Sequence, residues 1–176
     1  MRLPVVQYVK KMHEKYRFKP PILETCSGQI RSIQNLFPKI EYIRQDLVAY
    51  PNVELICDVC NMKTVEDNCF STVFNFESLE HIQNPFQAIK EMHRVLEPGG
   101  FLVLTTVTCW VIHRHPLDCW RFLPDGIKIL LKDGFNILNL ELEGLPYNFA
   151  IEDVPLVGEE KKTWLHRGIF TTAKKS

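Results

Sequence analysis

Neither sign of charge dominates this sequence: 21 Lys and Arg balance 21 Asp and Glu. That balance gives no net field to recruit nucleic acid or an anionic membrane. Long apolar runs are missing too. The longest, FLVLTTVTCWVI from Phe101 to Ile112, is too short and too rich in threonine to cross a bilayer. The opening MRLPVVQYVKKMHEKYRFK contains no signal-peptide core, so a cytoplasmic location is expected. Repeats, low-complexity tracts and linkers are absent, and 176 residues fit a single domain, 1–176, with an N-terminal helical segment (1–20) and an irregular acidic insert (145–165). The 6 cysteines lack any secretory context and are read as reduced. CDVC, Cys57 to Cys60, has zinc-like spacing but no second close pair, because Cys109 and Cys119 are too far apart to supply one. No metal is expected.

What remains is a regular alternation of periods. Apolar residues at 5, 6, 8, 9, 12 and 16 predict an amphipathic leading helix. PILET is a short buried strand, and QIRSIQNLF predicts a short helix with Ile30, Ile33 and Phe37 on one face. KIEYIRQD and VELICD read as strands ending on Asp46 and Asp58. The gap between them holds Pro51 and Asn52 and is too short for a crossover helix, so an abbreviated connection between strands 2 and 3 is expected. CFSTVFNF is the fourth strand, Pro85 to Leu96 a helix with proline in its first turn, and FLVLTTVT a central strand. LPDGIKILLKDGF predicts another helix, and NILNLELEG and GIFTTAKK close the sheet. The fold class is therefore α/β: a Rossmann-like three-layer sandwich around a mainly parallel, seven-stranded sheet with an antiparallel last strand.

In such sheets ligands bind at the carboxyl ends of the strands, a rim that carries Gly28, Asp46, Asp58 and Glu77. A glycine after strand 1 lets backbone amides approach a ligand, and the helix after it points its positive end at an anion. An acid after strand 2 suits ribose hydroxyls, and one after strand 3 suits an adenine amino group. The order describes an adenosine-bearing cofactor with a polar tail. The turn CSGQIR has one glycine where a GxGxxG dinucleotide turn needs three, which argues against a nicotinamide enzyme.

These residues resemble the class I S-adenosylmethionine-dependent methyltransferases, in particular the compact methyltransferase type 11 domain, from about Pro21 to Gly144. SLEHIQNPFQAIKEMHRVLEPGGFLVLTT carries the strongest likeness, and HPLDCWRFLPDG is similar to a narrower subgroup. The resemblance implies S-adenosylmethionine as cofactor. It implies that Glu24 anchors the methionine ammonium group and that the Cys26, Ser27 and Gly28 backbone faces the methionine portion. Asp46 with Leu47 takes the ribose, Asp58 with Val59 the adenine, and Phe76, Glu77 and Ser78 form the lip beside the sulfonium. Cys26 and Ile30 stand where the family has glycine, and Cys26 is expected to keep a negative φ.

Methyl transfer from a sulfonium is an in-line displacement in which alignment dominates. The expected acceptor is a small or sugar-like molecule methylated at O or N, with His81, His113 or His115 as general base. Trp110 and Trp120 are expected as an aromatic wall, Arg121 as an anion holder and Asp118 as the residue that orients one of the histidines. A partner protein or a second copy could close the open site. Each residue also has a structural reading. Glu24 and Gly28 could only shape a tight turn, and Asp46 and Asp58 could serve in Asx turns. His81 could pack on the next helix, Asp118 and Arg121 could brace their loop, and Glu80 reads as a surface or capping acid. The competing function is a catalytically degenerate binding module or a regulatory subunit.

Overall fold

The computed structural model describes residues 2–29, 33–37, 41–114, 116–144 and 166–176. Ile30, His115 and the 145–165 insert lie outside the described residues. Helix α1 (Leu3–Tyr16) leads into β1 (Ile22–Thr25), β2 (Tyr42–Asp46), β3 (Leu55–Ile56) and β4 (Phe70–Phe76). Helix α2 (Pro85–Val95), β5 (Leu96–Val107), α3 (Pro124–Leu131), β6 (Phe135–Gly144) and β7 (His166–Lys175) complete the chain.

The seven strands run in the order β3-β2-β1-β4-β5-β7-β6. Pairing is parallel from β3 to β5, and β7 runs antiparallel between β5 and β6. The order reverses between β1 and β4, so their carboxyl ends flank the crevice where such sheets bind ligands. The two faces of the sheet are covered differently. Val5, Tyr8, Val9 and Met12 of α1 pack with Ile22, Phe74, Val103 and Phe170 on one face. On the other, Ala88, Ile89 and Met92 of α2 and Ile127 and Leu131 of α3 pack with Leu23, Val73 and Leu102. Asn84 starts α2 by accepting the Gln87 amide on its side chain (3.1 Å), one residue before Pro85, which has no amide to satisfy.

Two elements are smaller than the sequence pattern predicts. β3 is two residues rather than VELICD, and it joins β2 through residues 47–54 with no helix between. The link closes so briefly because Arg44 N–H donates to the Glu54 carboxylate (2.8 Å) and the Glu54 amide to the Arg44 carbonyl (3.0 Å). After β1, the described part of the expected helix is a single 3-10 turn, Ile33–Leu36, with Ile33 and Phe37 buried beneath α1. Four residues of 3-10 geometry supply little of the aligned dipole that an α-helix would offer an anion. Among the described residues no helix is long and apolar enough to cross a membrane.

Candidate cofactor and acceptor site

The turn after β1 is held from behind by β2. The Cys26 amide donates to Gln45 Oε1 (3.1 Å), the Ser27 amide to the Gln45 carbonyl (3.0 Å) and the Gly28 amide to Asp46 Oδ2 (2.8 Å). Arg44 Nη2 donates to the Gly28 carbonyl (2.8 Å). Gly28 adopts φ +58°, as a tight turn requires of glycine. Cys26 contradicts its expectation: its φ is +53°. The left-handed backbone is tolerated because its amide is bonded and its side chain packs against the core cluster. Burial pushes the Cys26 thiol up to about 12, so it is neutral and no nucleophile.

Glu24 is buried and accepts the Tyr42 hydroxyl (2.8 Å). Asp46 binds the Gly28 amide through one oxygen and the Val48 amide (3.0 Å) through the other, while Leu47 beside it is exposed. Asp58 is exposed and caps its own turn through the Cys60 amide (2.8 Å), with Val59 buried next to it. Both acids thus make the Asx turns offered as their structural alternative, and Asp46 in addition latches the β1 turn to β2. Across the crevice, Phe76 is buried and Glu77 takes a left-handed φ of +46° with its amide on the Thr105 carbonyl (2.8 Å). Ser27 Oγ is buried without a hydrogen-bond partner on one lip, and Ser78 is buried on the other, beside the Cys26 thiol. An orphaned hydroxyl at a strand-end crevice suits a polar ligand that would complete it. Together with the left-handed Gly28 turn, it fits the methionine end of an adenosyl cofactor.

The acceptor side is built from the turn after β4 and the loop after β5. The Cys119 and Trp120 amides donate to the Glu80 carbonyl (2.8 and 3.1 Å), and Trp120 Nε1 to the Ile82 carbonyl (2.9 Å). These bonds bring His81 and His113 together, edge to face, with ring centroids 4.9 Å apart. Asp118 and Arg121 are occupied with each other. Arg121 donates both Nη groups to Asp118 (2.6 and 2.8 Å) and also reaches the Trp110, Val111 and Trp120 carbonyls. The Arg121 bond holds Asp118 well below the usual carboxylate range. The pair braces the loop, as its structural reading has it. Trp110 and Trp120 remain partly exposed, and the Arg167 guanidinium lies 3.7 Å over the Trp110 ring.

Several residues here went unread in the sequence. Arg2, just before α1, pairs with Glu77 and with Glu143 (2.6 Å), tying the lip to β6. Glu80, expected at the surface, is 1% exposed and accepts the Thr106 hydroxyl (2.8 Å). Gln45 and Arg44 looked like ordinary strand residues. Only a strand end rich in polar groups hinted at their role. Cys57 and Cys60 belong to no group of three potential metal ligands among the described residues, and burial raises both thiols, Cys60 to about 11. A hollow of about 220 Å³ between the outer sides of α2 and α3, lined by Phe86, Ile89, His93 and Ile129, lies away from this rim.

Residues 21–104 match the family described as "Methyltransferase domain" (type 11). Over 76 residues the chain is 30% identical to a demethylmenaquinone methyltransferase of Staphylococcus epidermidis, covering 43% of this chain. The chain spans about a third (32%) of that relative's length. Among solved structures, the [4+2]-cyclase SpnF superposes with a TM-score of 0.69 at 16% identity, covering 97% of this chain and 80% of the other. The 1,6-didemethyltoxoflavin-N1-methyltransferase of Burkholderia thailandensis, solved with its substrate and S-adenosylhomocysteine, gives 0.68 at 17% identity over 99% and 77%. The sheet order is that of the class I methyltransferase fold of these neighbours, and residues 21–104, just under half of the chain, match the type 11 methyltransferase domain.

Proposed function

We propose that this chain transfers a methyl group from S-adenosylmethionine to an oxygen or nitrogen of a small acceptor. The observation that carries the reading is the crevice between β1 and β4. It has a left-handed glycine turn latched by Asp46 and the unpartnered buried Ser27 hydroxyl on one lip, and Glu77 and Ser78 on the other. The cofactor supplies an electrophilic methyl on a sulfonium, and the chain's own residues do the rest. Ser27, Gly28 and Ser78 would hold the methionine end, and Asp46 and Asp58 the nucleoside. Phe76 and Glu77 shape the lip against which the acceptor is aligned, the largest contribution available to a displacement of this kind.

On the acceptor side, Trp110 offers a flat apolar face. His81 or His113 would take the proton an O–H or N–H acceptor loses. The [4+2]-cyclase shares this fold and catalyses another reaction, so the fold alone does not name the chemistry. The competing reading, a degenerate binding module, draws on the strained cysteine in the cofactor turn and the shortened connections around β3.

Calorimetric titration with S-adenosylhomocysteine separates the two. Micromolar binding that Asp46→Ala abolishes supports the enzyme and justifies an acceptor screen. Absence of binding at millimolar ligand sinks it and favours the module.

A further inference from the structure

Glu80, His81 and His113 each bring a metal-ligating atom within 4.8 Å of the other two. Both imidazoles are held from behind. Nδ1 of His81 bonds the Leu117 carbonyl (2.5 Å) and Nδ1 of His113 the Val111 carbonyl (3.0 Å), with the Asp118 carboxylate 3.6 Å away. A carbonyl only accepts, so the neutral form of each ring is the tautomer with the proton on Nδ1 and the lone pair on Nε2. Carbonyls and carboxylates placed behind histidine rings in this way fix ring orientation and tautomer in metal centres. Asp118 is itself locked by Arg121.

The third member points to a ligand independently. Glu80 is 1% exposed, and its carboxylate accepts the Thr106 hydroxyl. Among the described residues no lysine or arginine forms an ion pair with it. A buried carboxylate without an ion pair is costly, and the charges that face it from Arg121 and His81 make no ion pair with it, which leaves a place for a cation.

We propose that Glu80, His81 and His113 bind a divalent cation of the zinc class. Two imidazoles and one carboxylate suit that class, and three protein ligands leave a position open for water or an acceptor atom. Bonds of about 2.0–2.1 Å put tetrahedral ligands about 3.3 Å apart, so the cluster closes by at most roughly 1.5 Å on binding. This departs from the absence of metal expected from sequence. The site sits on the acceptor side of the rim, apart from the residues assigned to the cofactor, and when it is filled a metal-bound hydroxide would stand in for His81 or His113 as the base.

The test uses the full chain, stripped with chelator and titrated with Co²⁺ alone while visible d–d absorption is followed. One site per chain is expected, without the intense near-ultraviolet band of a thiolate-bound cobalt. His113→Ala and Glu80→Gln should each weaken Co²⁺ binding by about 100-fold or more, and His93→Ala, outside the cluster, should not. Circular dichroism establishes that the variants fold. A missing d–d band, a thiolate band, or affinity unchanged in both variants overturns the proposal. S-adenosylhomocysteine is titrated into the same samples: cobalt binding without nucleoside binding upholds the site and fails the methyl-transfer reading.

Discussion

Replacing Cys26 tests the most unusual backbone position in the molecule. At φ +53° a side chain costs about 1–2 kcal/mol that glycine escapes. The same side chain packs against the core cluster, and burying its sulfur returns about 1 kcal/mol. Cys26→Gly therefore leaves stability within about 1 kcal/mol of the parent, because relief of strain offsets the lost packing and the greater freedom of the unfolded chain. Cys26→Ala keeps the strain and loses the sulfur, so it falls by about 1 kcal/mol. Cys26→Val adds a β-branch where bulky residues are genuine outliers, and it should fall by about 2–3 kcal/mol. Urea denaturation midpoints at fixed slope give the order Gly ≈ Cys > Ala > Val. A valine variant as stable as the parent would refute the left-handed assignment and the account of the turn built on it. Titrated with S-adenosylhomocysteine, the glycine variant should bind about as tightly as the parent, since the Cys26 side chain packs on the core and not in the crevice.

Three further perturbations address other parts of the site. Tyr42→Phe removes a donor from buried Glu24 and should cost about 1–3 kcal/mol in chemical denaturation, and an unchanged midpoint would count against the bond's contribution. Arg121→Ala unties Asp118 and should speed proteolytic cleavage within 109–122. Because the native Asp118 pKa is depressed, the brace is fully present above the unfolded value of about 3.9 and is lost only as pH falls through the lower folded value. The variant's excess cleavage should thus be constant from neutral pH to about pH 4, with the parent loop still protected at pH 3 by an acid-active protease. Glu80→Gln addresses a raised pKa, so the sign reverses. The native group's penalty is absent below its unfolded value of about 4.3 and grows as pH rises through that value toward the folded one. In metal-free protein the variant should melt higher than the parent at pH 8, by a margin that closes near pH 4.

The fold was legible because each of its layers has its own period. The stripe at 5, 8, 9 and 12 set α1 on one face, and Pro85 and Pro124 each start a helix where the pattern places one. The spacing of Asp46 and Asp58 foretold a link without a helix, since chain length alone forbids one. The site was legible only in outline. Gly28 could be read from its turn, but the sign of φ at Cys26 depends on Gln45, 19 residues away, and no local pattern encodes that bond. Asp118 and Arg121 are a helical turn apart in number yet lie in a loop, where only the fork-to-fork geometry decides between bracing and binding. Glu80 shows the same limit most clearly. An acid between Leu79 and His81, just ahead of a helix, has the signature of an exposed cap, and it becomes buried only because the loop after β5 folds over it with two amides on its carbonyl. The chemistry at this rim is therefore set by how the 109–122 loop docks. A change that loosens Asp118 and Arg121 should alter the protonation of Glu80 without touching it.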